Sequence, residues 1–289
     1  MRMKQLSDLP PPPRGMRVLL PNRGELFVRA RRGPRRAPTV VLLHGWGASG
    51  GLNWFQAFEP LGRDFRVLAP DLRGHGRGPR SQDPFRLRDC ADDVAALLET
   101  LDAGPAIVVG YSMGGSVAQL LWRCHRERVA GLVLVATCER PVRSARAGRW
   151  MEGLMETAAL GGRWAEGSTW LPRALARGVV ERWPASRAGG LSEWARTEMA
   201  RHDWRHLLEA GAELGRFDAT PWLSSIDVPT SVVVTERDTA IPAPLQHGMA
   251  RQISGATVHP MDAGHLACVL PEFGTTLVQA CGDVAGRLG

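Results

Sequence analysis

Lysine is almost absent from this 289-residue chain: of 36 basic residues, Lys4 is the only lysine and the rest are arginine. The arginines are scattered and interleaved with acids, as in Arg86-Leu87-Arg88-Asp89 and His125-Arg126-Glu127-Arg128. A formal charge of +7 and a pI near 10.0 therefore mark no concentrated basic face, and a nucleic-acid partner is not expected. The arginine excess, together with abundant Ala, Gly and Pro, reads as a compositional bias. Cysteine is sparse and odd in number. Cys90, Cys124, Cys138, Cys268 and Cys281 are widely spaced, with no C-x-x-C and no mixed Cys/His ligand spacing, which argues against a zinc site or a disulfide framework. No apolar run reaches transmembrane length, so stable membrane insertion is not expected. The start, Met1 to Asp8, leads into Pro10 to Pro13 without an apolar signal core, and the expected location is cytoplasmic. Nothing in the chain specifies an oligomeric state.

Against these absences stand 44% hydrophobic and 22% charged residues, ordinary globular material in a chain long enough for one large core plus an insertion. Residues 1–15 read as a proline-rich arm. Arg17 to Leu20 and Leu26 to Ala30 predict a hairpin across Pro21-Asn22-Arg23-Gly24. Thr39 to Leu43 is a continuous β-branched and leucine run, the pattern of a parallel strand buried on both faces. Further strands are predicted at Arg66 to Ala69, Ala106 to Val109, Gly131 to Ala136, Ser231 to Thr235 and Ala256 to His259. Helices are predicted at about Asn53 to Leu61, Leu87 to Leu101, from the serine motif below to about His125, Leu245 to Ile253, and Leu266 to about Leu288. This strand and helix alternation implies an open, mostly parallel sheet flanked by helices. The rhythm breaks in residues 139–221, where short helical patterns carry Trp150, Trp164, Trp170, Trp183, Trp194 and Trp204. That stretch predicts a helical cap insertion, leaving residues 16–138 and 222–289 as the α/β core. Some of its tryptophans, with Met113, Met151 and Met155, would suit an apolar pocket.

The chemistry gathers at Gly110-Tyr111-Ser112-Met113-Gly114, where an apolar strand runs straight into a helix pattern. Gly110 and Gly114 stand two residues either side of Ser112, where a Cβ would collide across a sharp strand-to-helix turn. Such a bend presents the hydroxyl at a helix N-terminus, beside backbone N–H groups that can face a developing negative charge. A serine hydroxyl needs an imidazole to take its proton, and the imidazole needs a carboxylate to orient it. His265, in Gly264-His265-Leu266 between the last strand and the last helix, offers the first. Asp238, just past Thr235, offers the second, with Glu139, Glu236 and Asp262 as competing carboxylates. His247 and His259 lie nearby on less suitable elements, and His75 reads as bracing its loop.

With His44-Gly45-Trp46-Gly47, Asp71-Leu72-Arg73-Gly74-His75-Gly76, the serine motif, Asp238-Thr239-Ala240-Ile241-Pro242 and Gly264-His265 in this order, the chain resembles the α/β-hydrolase family over all but the proline-rich arm. The resemblance implies the α/β-hydrolase fold with a cap. It implies Ser112 as nucleophile, His265 as general base and acid, and Asp238 as its orienting carboxylate, with Glu139 the alternative position for the acid. The backbone N–H groups of Trp46 and Met113 would form the oxyanion hole, with His44 and Gly45 shaping the loop before it. The expected activity is hydrolysis of a small or medium, largely apolar carboxylic ester, with no cofactor and no metal. Thioesters, vinylogous diketones cleaved at a carbon–carbon bond, and cofactor-free perhydrolysis use the same residues and remain alternatives. Epoxide and haloalkane hydrolysis are disfavoured, because a carboxylate would replace Ser112 and because Tyr111 is the only tyrosine.

Overall fold

The computed structural model describes residues 12–142, Gly153 and residues 189–288. Most of the predicted insertion, including Trp150, Met151, Met155, Trp164, Trp170 and Trp183, lies outside the described residues, as do residues 1–11 of the arm. An eight-stranded sheet forms the centre, in the spatial order β1-β2-β4-β3-β5-β6-β7-β8. Strands β1 (Gly15–Leu20) and β2 (Gly24–Arg31) make the predicted hairpin, and β2 pairs antiparallel with β4 (Arg66–Pro70). From β4 onward every pairing is parallel, through β3 (Thr39–Leu43), β5 (Ala106–Tyr111), β6 (Val129–Val135), β7 (Thr230–Thr235) and β8 (Thr257–Met261).

The central strands are apolar throughout because both faces are covered. Val41, Leu43, Val108, Leu132, Leu134 and Val232 enter one core, while Val40, Leu42, Ile107, Val109, Val133 and Val233 enter the other. This is the period-two alternation of a strand shared between two layers, and each such side chain contributes roughly 1.5–3 kcal/mol by leaving water. Helices α3 (Leu87–Thr100) and α4 (Met113–Cys124) pack with the first core, and α8 (Phe273–Ala285) with the second. α7 (Ala243–Gln252) links β7 to β8.

Two predicted helices are corrected. In place of one helix over Asn53 to Leu61 the chain forms α1 (Gly50–Trp54) and α2 (Phe58–Leu61). Pro60 has no N–H to give the Gln56 carbonyl and its ring would strike it, so a continuous helix cannot pass. The closing helix begins at Phe273 rather than Leu266, because Pro271 has the same effect on the turn before it, where only a 3-10 turn over Ala267–Val269 forms. The last strand also runs on through Pro260 to Met261 instead of stopping at His259. Pro is tolerated there because β8 stands at the end of the sheet order.

Between β6 and β7 the described part of the helical insertion contains α5 (Gly189–Met199) and α6 (Trp204–Arg216). Asp203 caps α6, its Oδ1 accepting from the Arg205 and His206 amides, a cap worth about 1 kcal/mol. Glu198 on α5 accepts two hydrogen bonds from the Arg77 guanidinium, at 2.9 and 2.7 Å, and the Asp203 N–H donates to the Gly74 carbonyl at 2.8 Å. These bonds seat the insertion on the loop after β4.

Candidate active site

The C-terminal ends of β3, β5, β7 and β8 deliver the site. At the end of β5 the chain turns into α4 within one residue, and Ser112 takes φ 51° and ψ −115°, a strained conformation for a residue with a side chain. Packing enforces it: a Cβ on Gly110 would lie 2.4 Å from the Gly114 carbonyl oxygen, and one on Gly114 would lie 2.0 Å from that of Leu43. The Ser112 amide donates to the Val135 carbonyl of the neighbouring strand at 2.9 Å, and the Gly115 amide to the Ser112 carbonyl at 2.8 Å. Both faces of the bend are thus fixed by backbone.

His265 arrives on the loop after β8. Its Nε2 lies 3.0 Å from Ser112 Oγ and its Nδ1 2.8 Å from Asp238 Oδ2. Asp238 is itself held on both oxygens. Oδ1 accepts from the Ala240 and Ile241 amides at 2.8 and 2.9 Å, and Oδ2 accepts from Thr235 Oγ1 at 2.8 Å. Burial works to raise the pKa of this carboxyl, but the His265 hydrogen bond and then the Ile241 amide outweigh it and hold the group below the usual range. An ionised acceptor on Nδ1 requires the ring proton there, which leaves Nε2 free to accept from the serine hydroxyl.

Most of the competing groups are engaged elsewhere. Glu236 meets His247 at 3.0 Å, Asp262 meets Arg237 at 2.7 Å, and His259 Nε2 lies 3.1 Å from Asp283. The Glu139 carbonyl accepts from the Ala219 amide, while its buried Oε2 has no hydrogen-bond partner among the described residues, His265 included.

The loop after β3 lies against the serine: a Cβ on Gly45 would be 3.5 Å from Ser112 Cβ. Its shape comes from a four-residue turn in which the Ala48 amide donates to the Gly45 carbonyl at 3.2 Å and Gly47 takes φ +69°, which a glycine at the third turn position supplies without strain. His44 is fully buried. Its Nε2 accepts from the Leu72 amide and its Nδ1 lies 2.9 Å from the Gly45 carbonyl, so it ties this loop to the one after β4. Burial pushes its pKa down to about 3, so it stays neutral. His75 is likewise buried, its Nδ1 bonded to the Arg73 carbonyl. Trp46 is 44% exposed, and its indole N–H donates to the Leu207 carbonyl of α6 at 2.8 Å.

Three contributors carry no sequence signature. Asn53 Oδ1 accepts from the Gly45 amide at 2.9 Å, Tyr111 Oη donates to the His265 carbonyl at 2.5 Å, and Gln246 donates to Thr235 Oγ1 at 2.9 Å behind Asp238. Among the described residues no group of three or more His, Cys, Asp or Glu is placed to hold a metal ion. No described helix is long and apolar enough to cross a membrane.

A bent serine, an imidazole bonded to it and a buried carboxylate behind the imidazole, at the C-terminal ends of parallel strands, are the arrangement of an α/β-hydrolase. The model of the alpha/beta hydrolase family matches residues 40–279, and the chain belongs to that family. It is similar to a pimeloyl-acyl-carrier-protein methyl ester esterase of Chromobacterium violaceum, 44% identical over 108 residues that make up 37% of this chain and 40% of that protein. That match spans less than half of the relative's length. It is also similar to the magnesium-chelatase 30 kDa subunit of Rhodobacter capsulatus, 31% identical over 247 residues, 81% of this chain and 82% of that one. Among solved structures, a hydrolase from Pseudomonas aeruginosa PA01 superposes with a TM-score of 0.78 at 26% identity, covering 93% of this chain and 98% of that one.

Proposed function

We propose that the protein hydrolyses carboxylic esters of small or medium, largely apolar substrates through an acyl-enzyme on Ser112. The observation that carries this reading is the unbroken chain from Ser112 Oγ to His265 Nε2 and from His265 Nδ1 to Asp238 Oδ2. His265 takes the hydroxyl proton as Ser112 attacks the ester carbonyl, and Asp238 stabilises the imidazolium that forms. The Met113 N–H, at the first turn of α4, and the Trp46 N–H are the donors assigned to the tetrahedral oxyanion, aided by the positive end of the helix. His265 then passes its proton to the leaving alcohol. Water activated by the same nitrogen releases the acid and restores the serine. The esterase named among the relatives and the hydrolase among the solved structures support this class of reaction.

The proposed boundaries of the cap, residues 139–221, place Trp194 and Trp204 in it. Trp194 packs edge-on against Phe55 at 6.2 Å, which supports an apolar contribution from the insertion beside α1. A cytoplasmic location is supported by five free cysteines, four of them buried, in keeping with a reducing compartment.

Turnover of p-nitrophenyl acetate and butyrate by the wild type, Ser112→Ala and Asp238→Asn tests the reading, together with fluorophosphonate labelling. Labelling confined to Ser112 and loss of turnover in both variants are expected. Equal rates in all three proteins would remove the mechanism.

A further inference from the structure

His202 stands between α5 and α6 and is only 5% exposed. Its Nδ1 faces the Gly76 amide at 2.8 Å and its Nε2 faces the Gly47 carbonyl at 3.1 Å. An amide can only donate and a carbonyl can only accept, so the ring is the neutral tautomer with its proton on Nε2. Burial, which pushes its pKa down to about 4, keeps it in that form in neutral solution. The imidazole therefore joins two core loops through the insertion: the loop after β4 at Gly76 and the loop after β3 at Gly47.

Gly47 directly follows Trp46. The turn that carries the Trp46 N–H is fixed on its upstream side by Asn53, which accepts from the Gly45 amide, and across its width by the bond from Ala48 to Gly45. Its downstream side is fixed by His202 on the Gly47 carbonyl, and its side chain by the Leu207 carbonyl on the Trp46 indole. The last two anchors belong to the insertion. Without the His202 bond, Gly47 is the point at which the turn can rotate, since no side chain restrains it and a Cβ there would meet nothing within 4 Å.

We propose that His202 is a positioning residue for the reaction: by holding the Gly47 carbonyl it sets the rotation of the turn and hence the aim of the Trp46 N–H at the oxyanion. The proposal rests on the reading of Trp46 as an oxyanion donor. It adds that the donor is oriented from the helical insertion as well as from the core, so that displacement of α5 and α6 weakens transition-state stabilisation without removing any residue that touches substrate. Hydrogen-bond donors at such sites act only when aimed at the position the oxyanion will take, and errors near 1 Å cost roughly 100-fold.

Two variants separate positioning from packing. In His202→Gln the terminal amide can donate to Gly47 as Nε2 does, but the Gly76 amide loses its acceptor. In His202→Asn the side-chain oxygen can accept from Gly76 as Nδ1 does, but nothing reaches Gly47. Each removes one hydrogen bond, so both should lower Tm by similar amounts. Positioning predicts that His202→Asn loses about 10- to 100-fold in kcat with KM within about twofold, while His202→Gln stays within about fivefold of wild type. A trifluoromethyl ketone, which forms a tetrahedral adduct on Ser112, should lose affinity for His202→Asn by the same factor as kcat/KM. The carboxylic acid product should bind unchanged. Equal kcat in the two variants, or a ketone affinity unmoved in His202→Asn, would overturn the proposal. If instead the wild type is not inhibited by the ketone and Ser112→Ala is fully active, the ester-hydrolase reading fails, and this one with it.

Discussion

The hydroxyl of Tyr111 donates to the main-chain carbonyl of His265 across 154 residues of sequence. The residue before the candidate nucleophile therefore grips the loop that brings the candidate base. Its ring also packs edge-on against Trp54 at 6.1 Å and Phe273 at 5.9 Å, so the phenol is aimed by the second core. Burial pushes the Tyr111 pKa well up, and the phenol remains a donor across the working range. Tyr111→Phe keeps the packing and removes the bond. It should lower kcat about 10-fold and stability by about 1 kcal/mol, read from ester turnover and urea unfolding. Rates within twofold of wild type would mean that the His265 loop is held by other contacts.

Asp238 and Glu139 make opposite predictions. Asp238→Asn should reduce kcat roughly 1,000- to 10,000-fold, because an amide no longer requires the Nδ1–H tautomer. Glu139→Gln should leave kcat within about threefold, since its carboxylate does not meet the imidazole. Steady-state kinetics on one ester decides between them, and the reverse ranking would move the orienting acid to Glu139.

Acid stability should follow the buried histidines. Burial lowers the pKa of His44 to about 3, of His202 to about 4, and of His75 well below its ordinary value. Below the ordinary value of 6.5 the unfolded chain binds protons that these folded rings refuse, so the stability they confer is full above pH 6.5 and falls as pH drops towards 4. Asp71 acts in the other direction. Burial raises its pKa from 3.8 to about 6, which favours the folded state as pH falls through that window. One carboxyl against three imidazoles leaves a net loss. Denaturant midpoints should decline from pH 7 to pH 4, and a flat or rising profile would contradict the account.

Two glycine substitutions should have opposite signs. Gly114→Ala would press a methyl to 2.0 Å from the Leu43 carbonyl oxygen and should cost about 3 kcal/mol or more, or prevent folding. Gly282→Ala, within α8 with nothing inside 4 Å of the added carbon, should raise stability by about 0.5–1 kcal/mol. Thermal melts of both proteins check the pair.

Much of this architecture was legible because steric and solvent demands leave repeating marks. Strands covered on both faces must be apolar at consecutive positions, as Thr39 to Leu43 and Ala106 to Val109 are. A bend that forbids Cβ atoms on either side of Ser112 must place Gly110 and Gly114 there. Helix breaks were less legible, since apolar spacing runs on through Pro60 and Pro271 while the missing donors do not. Least visible were Asn53, Tyr111 and His202. Each bonds to backbone outside its own element, for Tyr111 and His202 at 154 and 155 residues' separation, and backbone has no residue type to leave a pattern. Their identities make sense only once Gly45, His265 and Gly47 have been brought beside them.

β6 and β7 are adjacent and register directly, Leu132 with Thr230 through Val135 with Val233, yet the entire helical insertion is strung between them. The strands are parallel, so the chain must cross back from the end of β6 to the start of β7. Within that crossover the Ala219 amide donates to the Glu139 carbonyl at 2.9 Å, which sets the two ends of the insertion side by side across a gap that a shorter connection could also bridge. The barrier to exchanging that segment for a foreign one is accordingly low for the scaffold, and the toll falls on the Gly47 turn: a transplant that keeps the strands paired would still have to supply a donor where His202 now stands.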